Sequence, residues 1–92
     1  MLENPSDILF VGKKPIMSYV NSAIIQLSSL PSITIKARGL SISFAVDVAQ
    51  VLLRKTQIFA IGKIKLDSES MPSHDGKMRN VSTIEIPIVR SQ

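Results

Sequence analysis

Between residues 7 and 38 the spacing of apolar side chains changes twice, and no single secondary structure accommodates all three patterns. Residues 8–11 are continuously apolar, which reads as a buried central strand ended by Gly12. Ile16, Met17, Val20, Ala23, Ile24, Leu27 and Leu30 then recur at helical spacing, with Ser18, Asn21, Ser22, Gln26, Ser28 and Ser29 on the wet side. Pro15 suits the first helical position, where its missing N–H would be unpaired anyway, and Pro31 stops the helix. Ile33, Ile35 and Ala37 next alternate with Thr34, Lys36 and Arg38, the mark of a half-buried strand, which Gly39 ends. A strand, a helix of this length and a second strand predict a right-handed βαβ unit.

A second helix is expected over residues 41–55. Its first apolar stripe is Ile42, Ala45, Val46, Ala49, Leu52 and Leu53, and a second is Phe44, Val48 and Val51. One sheet covers only one such face, so Phe44, Val48 and Val51 are expected at a dimer interface. Arg54 and Lys55 fall at the end of this helix, where cations complement the dipole. Residues 57–66 read as a third strand. Ile58, Ala60, Ile64 and Leu66 share one face, and Phe59, Ile61, Lys63 and Lys65 the other. Residues 81–89 read as a fourth, with Ile84, Ile86 and Ile88 inward. Pro87 cannot donate to a ladder, which places this strand at an edge or makes it bulged. The polar stretch 67–80 between them contains Asp75-Gly76, a hairpin-turn signal, and is longer than a tight turn needs, as in a mobile arm. The predicted architecture is a two-layer α/β sandwich of order β-α-β-α-β-β. It has a mixed four-stranded sheet, two helices on one face, and an extended hairpin between the third and fourth strands.

The chain has 92 residues, enough for one domain spanning 1–92 with a modest core, and residues 1–6 are expected to form a loose tail. Hydrophobic residues make up 45% and aromatics only 4%, so the core is expected to be aliphatic. The absence of cysteine excludes disulfides, thiolate metal sites and cysteine nucleophiles. No apolar run approaches the roughly 18 residues of a membrane span, and residues 1–7 carry Glu3 and Asp7 with no basic residue, unlike a signal peptide. A cytoplasmic protein is the expectation.

The net charge of +4 is unevenly spread. Residues 8–66 hold eight basic side chains against one acid, Asp47. Concentrated positive charge on a small domain suggests a polyanionic partner, most often nucleic acid; a basic protein that is merely soluble is the plainer alternative. Lys13 and Lys14 precede the first helix, where the dipole disfavours cations. They do nothing for the helix, but with its exposed N–H groups they compose a phosphate site. The alternative is two solvated lysines in a turn. Lys36 and Arg38 widen the patch, and Lys77, Arg79 and Asn80 lie on the returning side of the hairpin. Tyr19 lies off the apolar stripe near the lysines, as a rim-packing side chain or a contact to a sugar or base.

Catalytic chemistry finds little support. His74 is the only histidine and sits in the polar hairpin, the four glycines form no phosphate loop, and no carboxylates pair at metal-binding or acid–base spacing. No catalytic residue, metal or cofactor is expected.

Gly12-Lys13-Lys14-Pro15 is followed by Ile35-Lys36-Ala37-Arg38-Gly39, by Ile42-Ser43 with Ala45-Val46-Asp47, and by Asp75-Gly76-Lys77 leading to residues 81–86 (VSTIEI). In this order and spacing the motifs resemble the Alba family of archaeal chromatin proteins, over nearly the whole chain from residue 8 to 89. The resemblance implies a fold like the C-terminal domain of translation initiation factor three. It also implies a dimer that coats double-stranded DNA with little sequence preference and also binds RNA. Dimers of the family associate further side by side, with the lysine pair central and the hairpins reaching toward the minor groove. It implies possible acetylation at Lys13, which would weaken binding, and a chromosome- or nucleoid-associated location. Leu40 and Phe44 stand where the family often has basic residues, which extends the second stripe of helix two and suits self-association or pairing with a paralogue.

The reading is therefore a non-enzymatic, sequence-non-specific DNA-binding protein that also binds RNA and compacts DNA as a homodimer or heterodimer, with no membrane partner. Two alternatives stand beside it. One is an RNA-binding or ribonucleoprotein subunit, although few aromatics argue against single-strand stacking. The other is a protein-interaction subunit using the apolar face of helix two.

Overall fold

In the computed structural model, which describes residues 7–91, the three opening patterns become β1 (Ile8–Phe10), α1 (Ile16–Ser29) and β2 (Ser32–Arg38). A short 3-10 turn (Gly39–Ser41) leads into α2 (Ile42–Thr56), and β3 (Phe59–Ile61), β4 (Lys65–Pro72) and β5 (Met78–Arg90) complete the chain. The tail expected at residues 1–6 lies outside the described residues. The strands form one mixed sheet of order β1-β2-β5-β3, with β4 also paired to β5. β1 runs parallel to β2, and the other pairings are antiparallel.

The α/β sandwich expected from the sequence is present, and strand parity explains its two layers. Ile33, Ile35 and Ala37 of β2 and Ile84, Ile86 and Ile88 of β5 are buried, and their registers bring Ile35 opposite Ile86. Val20, Ala23 and Leu27 of α1 and Ala45, Val48, Ala49 and Leu52 of α2 complete this aliphatic core. Burying each large aliphatic side chain stabilises the fold by roughly 1.5–3 kcal/mol. The opposite sheet face, with Thr34, Lys36, Arg38, Thr83 and Glu85, carries no helix among the described residues.

Several expectations need correction. β1 is an edge strand, not a central one, so Phe10 is 66% exposed. Its register pairs Leu9 with Ile35 and Phe10 with Lys36. Leu9 therefore packs against the core, and Phe10 shares the open face with Lys36. Pro15 is the residue preceding α1, in extended conformation (φ −56°, ψ 142°), rather than its first helical residue. Val48 is fully buried in the core, and Val51 is half-buried against it. Within the expected interface trio, only Phe44 stands substantially free, 40% exposed.

The third strand is present in two pieces, which makes the sheet five-stranded. β3 pairs Ile61 with Ile88, whereas β4 pairs Lys65 with Glu85. Residues 62–64 thus hold one residue more than a continuous ladder takes, a bulge that switches side-chain parity. Before it Phe59 faces the core; after it Leu66, opposite Ile84, takes the helix side of the sheet. The bulge also answers the question posed by Pro87, which sits within central β5 and not at an edge. The Pro87 carbonyl accepts from Gly62 N–H at 2.8 Å. A strand residue points its nitrogen and carbonyl the same way, so the missing proline N–H faces the interruption. A Cβ on Gly62 would meet the Pro87 ring at 3.1 Å, so a side chain here would crowd the bulge.

The polar stretch read as a long loop is mostly ladder. β4 and β5 pair from Lys65–Glu85 out to Pro72–Met78, leaving a tip at residues 73–77. Asp75 organises that tip. Its carboxylate accepts from the Ser73 hydroxyl and from the Lys77 N–H, which together hold it below the ordinary aspartate value of 3.8. Gly76 supplies the positive φ of 80° that closes the turn.

Candidate nucleic-acid interface

The lysine pair owes its position to Tyr19. Although off the apolar stripe, Tyr19 is buried, because the chain leaving β1 folds over the first turn of α1. Its hydroxyl accepts from the Gly12 N–H at 2.9 Å and the Lys14 N–H at 3.1 Å. Of the two sequence readings for Tyr19, the packing role is the one observed, and it carries a polar duty that apolar spacing does not reveal. The loop backbone is clamped while the Lys13 and Lys14 side chains stay exposed. No side chain caps α1, and its first turn holds no acid. Positive potential at this helix end is left uncompensated by the chain itself. Replacing Tyr19 by phenylalanine removes the acceptor for both N–H groups. A cost of about 1–3 kcal/mol is expected, read as a fall in Tm of several degrees, with faster amide exchange at Gly12 and Lys14.

Strand parity brings further cations to the same place. Lys14, Lys36 and Arg38 line one open groove of about 670 Å³ that runs over the ends of β1 and β2 toward β5 and β4. Its walls also include Phe10, Thr83, Glu69 and Glu85. Lys36 Nζ lies 3.8 Å from Glu85 Oε2, with both side chains about a third exposed. Part of its charge is thus answered internally, and such a solvated pair contributes little to stability. Lys13, Lys14 and Arg38 make no ion pair among the described residues.

The groove continues onto the hairpin. Arg38 Nη1 donates to the Met71 sulfur at 3.7 Å, and Met71 is the register partner of Arg79. Arg79 reaches Asp75 at 3.8 Å, an exposed contact that leaves its guanidinium accessible. Asn80 lies one residue on, on the other face of the arm, where its side-chain oxygen accepts from the Ser70 hydroxyl at 3.2 Å. Lys77 is exposed at the tip. The expected site residues therefore fall in two sets, Lys13, Lys14, Lys36 and Arg38 around the groove and Lys77, Arg79 and Asn80 on the arm, joined through Arg38 and Met71. The two glutamates and Phe10 were not expected there. The alternation of residues 33–38, extended across the sheet to β1 and β5, is the signal that would have found Glu85 and Phe10.

Chemically, this surface offers mobile ammonium and guanidinium groups, an uncapped helix start, and a two-stranded arm of lower charge density. It suits a ligand with many separated anionic groups. Among the described residues there is no cluster of histidine, cysteine, aspartate or glutamate able to hold a metal ion.

Comparison with known proteins agrees with the geometry. The family model for Alba matches residues 7–68. The DNA/RNA-binding protein Alba of Nitrosopumilus maritimus is 59% identical over 88 residues, covering 94% of this chain and 93% of the relative. The DNA/RNA-binding protein Alba of Picrophilus torridus is 45% identical over 87 residues, covering 91% and 96%. Among solved structures, Alba from Thermoplasma volcanium aligns with a TM-score of 0.85 at 44% identity, covering 90% of this chain and 99% of that one.

Proposed function

The chain belongs to the Alba family, and from that premise we propose that it binds nucleic acid, coating double-stranded DNA without sequence preference and also binding RNA. The observation that carries this reading is the convergence of Lys14, Lys36 and Arg38, from two separate elements, on one groove that runs on to the hairpin. Lys13 and Lys14 meet phosphates at the start of α1, Lys36 and Arg38 extend the track, and Lys77 and Arg79 follow the duplex from the arm. Contacts of this kind position a protein on the backbone and read no base.

The working unit is a dimer that compacts DNA in association with the chromosome. Support comes from apolar surface that the monomer leaves open. Phe44, Ile64 and Leu66 are 40%, 47% and 72% exposed, and Leu66 lies on the helix side of β4 beyond the reach of either helix. A second copy, or a paralogue, is the occupant this reading places there. Lys13 is exposed and accessible to acetylation, which removes one ammonium from the groove's entrance and weakens binding.

Salt dependence of duplex binding tests the reading. With protein of known oligomeric state, affinity is expected to fall with a log–log slope of about −0.9 per phosphate neutralised, and to be alike for unrelated sequences. A flat response would overturn the phosphate assignment and favour a protein partner on the apolar surface.

A further inference from the structure

Among the described residues Phe10 is the one large aromatic on the open sheet face, an unusual place for so exposed a ring. Its exposure is 66%, it lies directly across from Lys36 in the β1–β2 register, and it forms a wall of the same groove as Lys14 and Arg38. On the far wall Glu85 holds Lys36 at 3.8 Å, leaving a carboxylate acceptor opposite the ring. Apolar ring face, cations and acceptor are thus gathered in a groove of about 670 Å³, within the roughly 300–1,000 Å³ typical of small-molecule sites.

Backbone binding uses the cations but has no need of the ring. An aromatic beside phosphate-binding cations is what an unpaired base requires, since stacking needs an exposed base face that a duplex hides. We propose that this groove is a stacking subsite for an unpaired nucleobase of a single-stranded segment. Phe10 carries the base, Lys14 and Arg38 hold the flanking phosphates, and the Glu85 carboxylate accepts from an exocyclic amino group or a ribose hydroxyl. The inference rests on the nucleic-acid reading above and deepens it, naming the residues of the same groove that hold an unpaired base.

The test compares Phe10→Ala, Phe10→Trp and a Lys13→Ala, Lys14→Ala variant. The probes are a short oligoadenylate RNA carrying a fluorescent adenine analogue, the DNA of the same sequence, and a blunt duplex. Because Phe10 is exposed, both single variants are expected to melt at the temperature of the parent. Phe10→Ala is expected to weaken single-strand affinity by roughly fivefold to a hundredfold and to abolish the quenching of the analogue. Phe10→Trp restores both, and the loss in Phe10→Ala is larger for the single strands than for the duplex. A loss confined to RNA assigns the subsite to ribonucleotides, and a loss on both strands assigns it to unpaired bases of either kind. Unchanged single-strand affinity in Phe10→Ala overturns the proposal, as does a change in oligomeric state without a change in affinity, which would make Phe10 a protein contact. If the lysine variant weakens duplex binding while Phe10→Ala changes nothing, only this inference fails. If the lysine variant also binds as the parent does, the nucleic-acid site itself is misplaced.

Discussion

Duplex DNA affinity is expected to fall on the order of thirtyfold per chain engaged at physiological salt when Lys13 and Lys14 are both replaced by alanine, with a salt slope shallower by about two per chain engaged. The magnitude follows from counterion release: each phosphate no longer neutralised forfeits a factor of roughly five at that ionic strength. The cost falls on binding and not on folding, because both side chains are exposed and the loop is held by Tyr19 through backbone N–H groups that alanine keeps. Arg54→Ala with Lys55→Ala makes the matching control. It removes the same charge from the C-terminal end of α2, a helix length of about 22 Å from Ser41 at the groove. If both variants lose affinity equally, the effect is one of net charge, and the groove has no special part in it. If only the first does, the phosphates lie where the geometry of Lys13, Lys14, Lys36 and Arg38 puts them.

Those cations were legible in the sequence because local rules govern them. Alternation over residues 33–38 fixes Lys36 and Arg38 on the face opposite Ile35, and a proline before a helical stripe fixes the lysines at its start. Phe10 was hidden by a pattern with two meanings: a short run of apolar residues reads as buried on both faces whether the strand is central or at an edge. Only the pairing with β2, which sets Leu9 beside Ile35, shows that Phe10 must face outward. The arm was partly legible. Asp75-Gly76 marks the turn, but β4 (KLDSESMP) has neither alternation nor β-branched residues, and it is a strand because β5 offers it a ladder. Pro87 posed a real problem, for which the sequence offered an edge position or a bulge in its own strand, and the structure takes neither as stated. The chain instead opens the neighbouring strand by one residue at 62–64, a device that neither strand reveals alone, since a bulge is a property of their relative register. Val48 shows the limit of reading a helix in isolation: two apolar stripes suggest two partners, yet α2 packs beside α1 on the same face of the sheet, and Val48 is buried within the monomer core.

The apolar surface that remains after this correction predicts the other large effect. Phe44→Glu combined with Leu66→Glu is expected to raise the dimer dissociation constant by about a thousandfold or more. Both side chains are exposed in the monomer, and each recurs in a symmetric pair, where the same patch faces itself. Losing an anchoring residue costs roughly 2 kcal/mol, so even one such site felt twice amounts to about 4 kcal/mol, or three orders of magnitude in affinity. Burying an unpaired carboxylate in place of an aromatic or aliphatic contact adds to this cost. Sedimentation velocity checks the assembly, and circular dichroism is expected to show each chain still folded, because Val48 and Leu52, which hold α2 to the core, are untouched. The monomer keeps its groove but loses its twin, so duplex affinity should drop and the salt slope should fall to about half. A variant that remains dimeric at micromolar concentration would move the interface away from α2 and β4. A variant that becomes monomeric yet binds DNA with the full slope would show that one chain carries every phosphate contact, and that pairing serves to bridge DNA rather than to grip it.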